Sequence, residues 1–88
     1  MGQIDRDALN HFETEARLGA ADALFQLGLA YSTGQGAPID FVVAHKWFNL
    51  AAMRGTEEAR TWRTQIALEM SPGQIADAQR QAREWLRA

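Results

Sequence analysis

The sequence contains no cysteine. Disulfide frameworks, thiolate metal sites and cysteine nucleophiles are therefore excluded, while the redox compartment is left open. Valine occurs only twice and isoleucine four times. That is too little β-branched material for a sheet core. No apolar run approaches the roughly 18 residues that a membrane-spanning helix requires, so no membrane partner is expected. Lysine occurs once and the formal net charge is −2. The chain thus lacks the basic excess with which a nucleic-acid-binding domain neutralises phosphates. The opening stretch from Met1 to Arg6 has neither the basic start nor the apolar run of a secretory signal. Arg6 also stands where a myristoylation site needs Ser or Thr. A cytoplasmic location is the expectation.

What remains is helical material. Eighty-eight residues make one domain. At 47% hydrophobic and 23% charged, there is enough apolar surface to offset the entropy of ordering. Sixteen residues are alanine, the strongest helix former. An all-α fold follows, and glycine and proline divide it into five helices. The first runs from about Ile4 to Leu18, with Ala8, Leu9, Phe12 and Ala16 on one face and Gly19 at its end. The second spans about Ala20 to Thr33. It carries two stripes, Leu24–Leu27–Tyr31 and Phe25–Leu29, and a helix that is apolar on two sides is usually packed on both. Gly34, Gly36 and Pro38 form a turn, and Asp40 caps the third helix. Ala44, Trp47, Phe48 and Ala51 form that helix's buried stripe, and Gly55 ends it. Thr56 is expected to cap the fourth helix, whose apolar line is Ala59, Trp62, Ile66 and Met70. Ser71 and Gln74 form a capping-box pattern around Pro72. Ile75, Ala78, Ala82 and either Trp85 or Leu86 line the fifth helix.

The sequence repeats. Shifted by 36 residues, Ala8 meets Ala44, Phe12 meets Phe48, Ala16 meets Ala52, Gly19 meets Gly55 and Ala23 meets Ala59. A period in the thirties with two helices per unit signals an α-solenoid, whose units bury their apolar faces only by stacking. Gly28 fits this reading, since it lets a facing helix approach closely. Trp47 and Tyr31 supply large buried area, and each has a polar tip that needs a partner.

These residues carry a resemblance. Ala23, Leu27, Gly28, Tyr31, Gly34, Gly36, Asp40, Ala44, Trp47, Ala51, Ala52, Gly55 and Ala59 together resemble one full unit of the Sel-one-like repeat family, a relative of tetratricopeptide repeats. Ala37 departs from the pattern, where valine is more usual. The tail from Ser71 to Leu86 looks like the closing helix of short proteobacterial members. The resemblance implies a right-handed α/α solenoid fragment with helix order B-A-B-A-B. Residues 20–55 would be the complete repeat, 1–19 a preceding half-repeat helix and 56–88 a closing helix pair. It also implies that the A helices line a concave surface. By position, the second helix would contribute Asp22, Phe25, Leu29 and Ser32, and the fourth Thr61, Gln65 and Leu68.

Little in the chain points to catalysis. His11 and His45 stand alone on helices and are expected at the surface or partly packed. No HExxH pattern exists. Glu13 and Glu15, or Glu57 and Glu58, do not face one another on a helix. The Thr-Gly-Gln-Gly-Ala-Pro segment lacks the lysine and hydroxyl residue of a phosphate loop. Arg80, Arg83 and Arg87 read as a solvated face, given Asp77 and Glu84 nearby. The three tryptophans are expected in the core. Cysteine-rich relatives are credited with handling β-lactams, but this chain has no cysteine. No cofactor and no metal are expected. The reading is a non-catalytic adaptor or scaffold that binds a peptide or helix of an unknown partner protein on its A-helix face. The alternative is self-assembly, with the same apolar face consumed in a homo-oligomer.

Overall fold

The computed structural model describes residues 5–88. Five helices follow in order: α1 (Arg6–Arg17), α2 (Ala21–Thr33), α3 (Phe41–Met53), α4 (Glu57–Ala67) and α5 (Pro72–Arg87). There is no strand among the described residues. None of the helices is long and apolar enough to cross a membrane. The first helix begins two residues later than the apolar pattern indicates, because Asp5 is its cap and accepts a hydrogen bond from the Ala8 amide at 2.8 Å. Ile4 and the residues before it lie outside the described part.

Helix α3 is the centre of the molecule. It packs against α2, α4 and α5, whereas α1 packs chiefly on α2. Its stripe explains this position. Ala44, Phe48 and Ala51 are fully buried, and Trp47 and Leu50 nearly so. Much of the rest of the core is alanine: Ala30, Ala59 and Ala78 are fully buried, and Ala16, Ala23 and Ala82 nearly so. Small side chains let helices approach closely, and the closest approach is at Gly28. A β-carbon placed there would lie 2.5 Å from the Phe48 ring. The absence of a side chain on α2 thus makes the room that the largest fully buried side chain of α3 fills.

The helix ends follow from local chemistry. Asp40 accepts from the Val43 amide at 3.2 Å. The Asp40 backbone amide donates back to the Tyr31 carbonyl at 2.9 Å, closing the α2–α3 loop onto the helix it leaves. Ser71 and Gln74 form the reciprocal capping box expected from the sequence: the Gln74 amide donates to the Ser71 hydroxyl at 3.1 Å and the Ser71 amide to Gln74 Oε1 at 2.9 Å. Thr56 occupies the N-cap position of α4, but its hydroxyl makes no capping bond. Glu57 and Glu58 in the first turn complement the dipole instead.

Three further expectations are revised. His45 is buried, at 4% exposure. The 36-residue register accounts for it, since His45 falls where Leu9 falls on α1, and Leu9 is buried too. Trp62 is not a core residue. It is 37% exposed, because α4 has α3 as its only substantial helix neighbour. Trp47 is buried as expected, but its indole nitrogen has no hydrogen-bond partner among the described residues. On α5 the choice between Trp85 and Leu86 is settled: Trp85 packs against the core while Leu86 stays half exposed.

Candidate functional site

The seven residues assigned to the A-helix face divide between α2, which carries Asp22, Phe25, Leu29 and Ser32, and α4 with its C-cap, which carry Thr61, Gln65 and Leu68. On α2, Phe25, Leu29 and Ser32 recur at helical spacing and are half-buried. The Ser32 hydroxyl donates to the Leu29 carbonyl at 3.2 Å, so its polar group is turned onto its own helix. Asp22 is exposed and continues the same stripe toward the N-terminus of α2. It borders a shallow hollow of about 190 Å³ with His11, Phe12 and Glu15 of α1. Thr61 and Gln65 are exposed on α4. Leu68 is 75% exposed and lies at the C-cap, just beyond the end of α4.

What joins α2 to α4 is aromatic. The Phe25 ring meets the Phe48 ring at 5.8 Å between centroids, tilted by 53°. The Trp62 ring meets the same Phe48 ring at 5.8 Å, stacked at 22°. Phe25, Phe48 and Trp62 therefore form a continuous run from α2 across α3 to α4, buried in the middle and open at Trp62. Such contacts add about 0.5–1.5 kcal/mol each beyond area burial. Sequence reasoning placed Phe25 on this face but put Trp62 in the core. The only available signal was positional: Trp62 directly follows Thr61, which was assigned to the face.

A small polar cluster joins α3 to α4. Arg63 donates to the Asn49 side chain at 2.6 Å. His45 lies one turn before Asn49, and its Nδ1 is buried without a partner. Burial pushes the His45 imidazole below its ordinary range, and the nearby Arg63 charge pushes in the same direction. The charged neighbour that acts on this imidazole is thus a guanidinium. On α5, Arg80 is paired with both Asp77 and Glu84. Arg80, Arg83 and Arg87 are all exposed, so the arginine row is a solvated face, as its sequence indicates. Among the described residues there is no group of three or more His, Asp or Glu side chains placed to hold a metal.

Antiparallel helix pairs stacked in a 36-residue register, with small residues at the crossings, define a tetratricopeptide-like α-solenoid fragment. The Sel1 repeat model matches residues 21–56 and 66–88. The chain belongs to the Sel1 repeat family. The first match takes in α2, α3 and the turn into α4, and the second takes in α5. Sel1 repeats are generally protein–protein interaction modules without catalytic function. No curated protein matches the chain.

Proposed function

We propose that this chain is a non-catalytic adaptor or scaffold module that takes a peptide or helix of a partner protein on the α2–α4 side. The observation that carries the reading is the aromatic run ending at Trp62. Tryptophan is costly to leave in water and is enriched among the residues that dominate interface energetics. Here it is backed by a stacked, fully buried Phe48, so it is held rigidly and loses little freedom on binding. Thr61, Gln65 and Leu68 surround it in sequence and are exposed; they would supply the rim.

A second reading, self-association through the same face, is favoured by the open side of α4, where Trp62 and Leu68 both meet solvent. The two readings separate experimentally. Sedimentation of the wild type and of Trp62→Ala over a wide concentration range shows whether the face joins copies. A monomeric wild type that enriches peptides from a random display library, with binding lost in the folded Trp62→Ala protein, supports the adaptor reading. A dimer that Trp62→Ala splits replaces it with the self-assembly reading. Selected peptides that bind Trp62→Ala as well as wild type sink both.

A further inference from the structure

A second surface lies on the other side of α3. Near the C-terminal ends of α1, α3 and α5 there is a hollow of about 320 Å³, whose lining includes Leu50 and Met53 of α3, Trp85 and Leu86 of α5, and Arg54. The size suits one or two inserted side chains and sits at the low end for small-molecule sites. Met53 and Leu86 are both more than half exposed at its edge, although both are apolar. Trp85 anchors the wall: its ring packs edge-on against Trp47 at 4.8 Å.

The rim is basic. The Arg17 guanidinium lies over the Trp85 ring at 5.5 Å. The Arg54 guanidinium is laid against the α1–α2 turn, where a β-carbon on Gly19 would meet it at 3.3 Å. Neither arginine takes part in a salt bridge with any described residue. Lys46 lies over Trp47 and Trp85 at 4.2 and 5.7 Å. Arg17 in the last turn of α1 and Arg54 at the C-cap of α3 complement the ends of their helix dipoles, and together they make this region locally basic in a chain that carries −2 overall. Trp, Arg and Met are also the side chains enriched where protein surfaces bind.

We propose that this hollow is a docking site for an acidic peptide segment, which inserts a large apolar side chain between Met53 and Leu86 and pairs its carboxylates with Arg17 and Arg54. The guanidinium fork matches a carboxylate bidentately. The Trp85 ring gives Arg17 a cation–π contact before the ligand arrives. A nucleic acid would satisfy the arginines but leave the apolar hollow unfilled. This site is separate from the α2–α4 face, on the opposite side of the central helix.

The test uses Trp62→Ala protein, so that the α2–α4 face is already disabled. A random dodecamer display library is selected against it, and the enriched peptides are titrated by fluorescence polarisation. The expected result is peptides that combine a large apolar residue with Asp or Glu within one helical turn. Arg54→Glu should weaken them by about tenfold, and the Arg17→Glu/Arg54→Glu double variant should select basic peptides instead. All of these substitutions are at exposed positions, and an unchanged thermal melt verifies the fold. Enriched peptides without acidic residues, binding indifferent to both charge reversals, or no enrichment at all would overturn the proposal. So would a protein that self-associates in a manner abolished by Arg54→Glu, because the occupant would then be a second copy.

Discussion

The turn between α1 and α2 and the turn between α3 and α4 are the same piece of backbone, made twice. In the first, the Gly19 amide donates to Ala16 and the Ala20 amide to Glu15. In the second, the Gly55 amide donates to Ala52 and the Thr56 amide to Ala51. Each partner is 36 residues from its counterpart, and both glycines have positive φ, 87° and 101°. The side chains around the turns have diverged. The helix leading into the first turn packs mainly on one neighbour, and the helix leading into the second packs on three. His11, exposed on α1, corresponds to the buried Trp47 on α3, and half-buried Phe12 to fully buried Phe48. Repetition fixes the path of the chain, while the number of packed neighbours decides what each position is worth.

The largest test of that statement is Phe48→Ala against Phe12→Ala. Both replace the same residue type at the same repeat position. Phe48 fills the space left by Gly28 and carries Phe25 and Trp62 on its ring. Its truncation should destabilise by about 3–5 kcal/mol, enough to unfold much of a domain this size. Phe12→Ala should cost clearly less, because part of that ring is already in water. Urea unfolding followed by circular dichroism measures both. Equal losses would mean that the two halves share one core rather than a centre and an edge.

The histidine comparison is next in size. Leu9 and His45 hold equivalent buried positions, but only one of them titrates. Burial and Arg63 lower the His45 pKa from its ordinary 6.5, so the unfolded chain binds the proton more readily than the folded one. The sign follows from linkage: the contribution is fully present above about 6.5 and is lost as pH falls through that value toward the lower folded one. His45→Leu should therefore flatten the dependence of stability on pH between about pH 7 and pH 5. The comparison is wild type minus variant, which removes the pH dependence that the two proteins share. An unchanged slope would show that the imidazole reaches water.

Much of this was legible in the sequence wherever the cause is local. Asp40, the Ser71–Gln74 box and the glycine turns depend on residues within a few positions of one another, and each is found as read. Thr56 was only half legible. Residue type marks the cap position, but whether the hydroxyl turns inward is a rotamer choice that leaves no trace in the pattern. Burial was harder. The line Ala59, Trp62, Ile66 and Met70 is a proper apolar stripe, yet Trp62 stays partly exposed because no helix covers that side of α4. The burial of His45 was available through the 36-residue shift onto Leu9, and was lost to the general expectation that a lone histidine sits near the surface. The hollow beside Trp85 has no sequence signature. It requires Ala16, Met53 and Leu86 to meet, and they are brought together only by the way α1 and α5 lie against the α2–α3 pair.

The smallest effect is the most specific to the divergence between the two turns. Gly19→Ala and Gly55→Ala each force a β-carbon into the left-handed region, at about 1–2 kcal/mol. By backbone alone the two should cost the same. The surroundings differ: a β-carbon at residue 55 meets nothing within 4 Å, whereas one at residue 19 meets the Arg54 guanidinium at 3.3 Å. Arg54 is long and exposed and can swing aside, so Gly19→Ala should exceed Gly55→Ala by no more than about 0.5 kcal/mol. That excess should vanish in an Arg54→Ala background, which a double-mutant cycle isolates. If the two substitutions are equal from the start, Arg54 does not rest on the first turn, and the basic rim of the hollow loses one of its two fixed points. If the excess persists without Arg54, the first turn is tighter in its backbone than the second, and the two copies differ at the one place where their hydrogen bonds coincide.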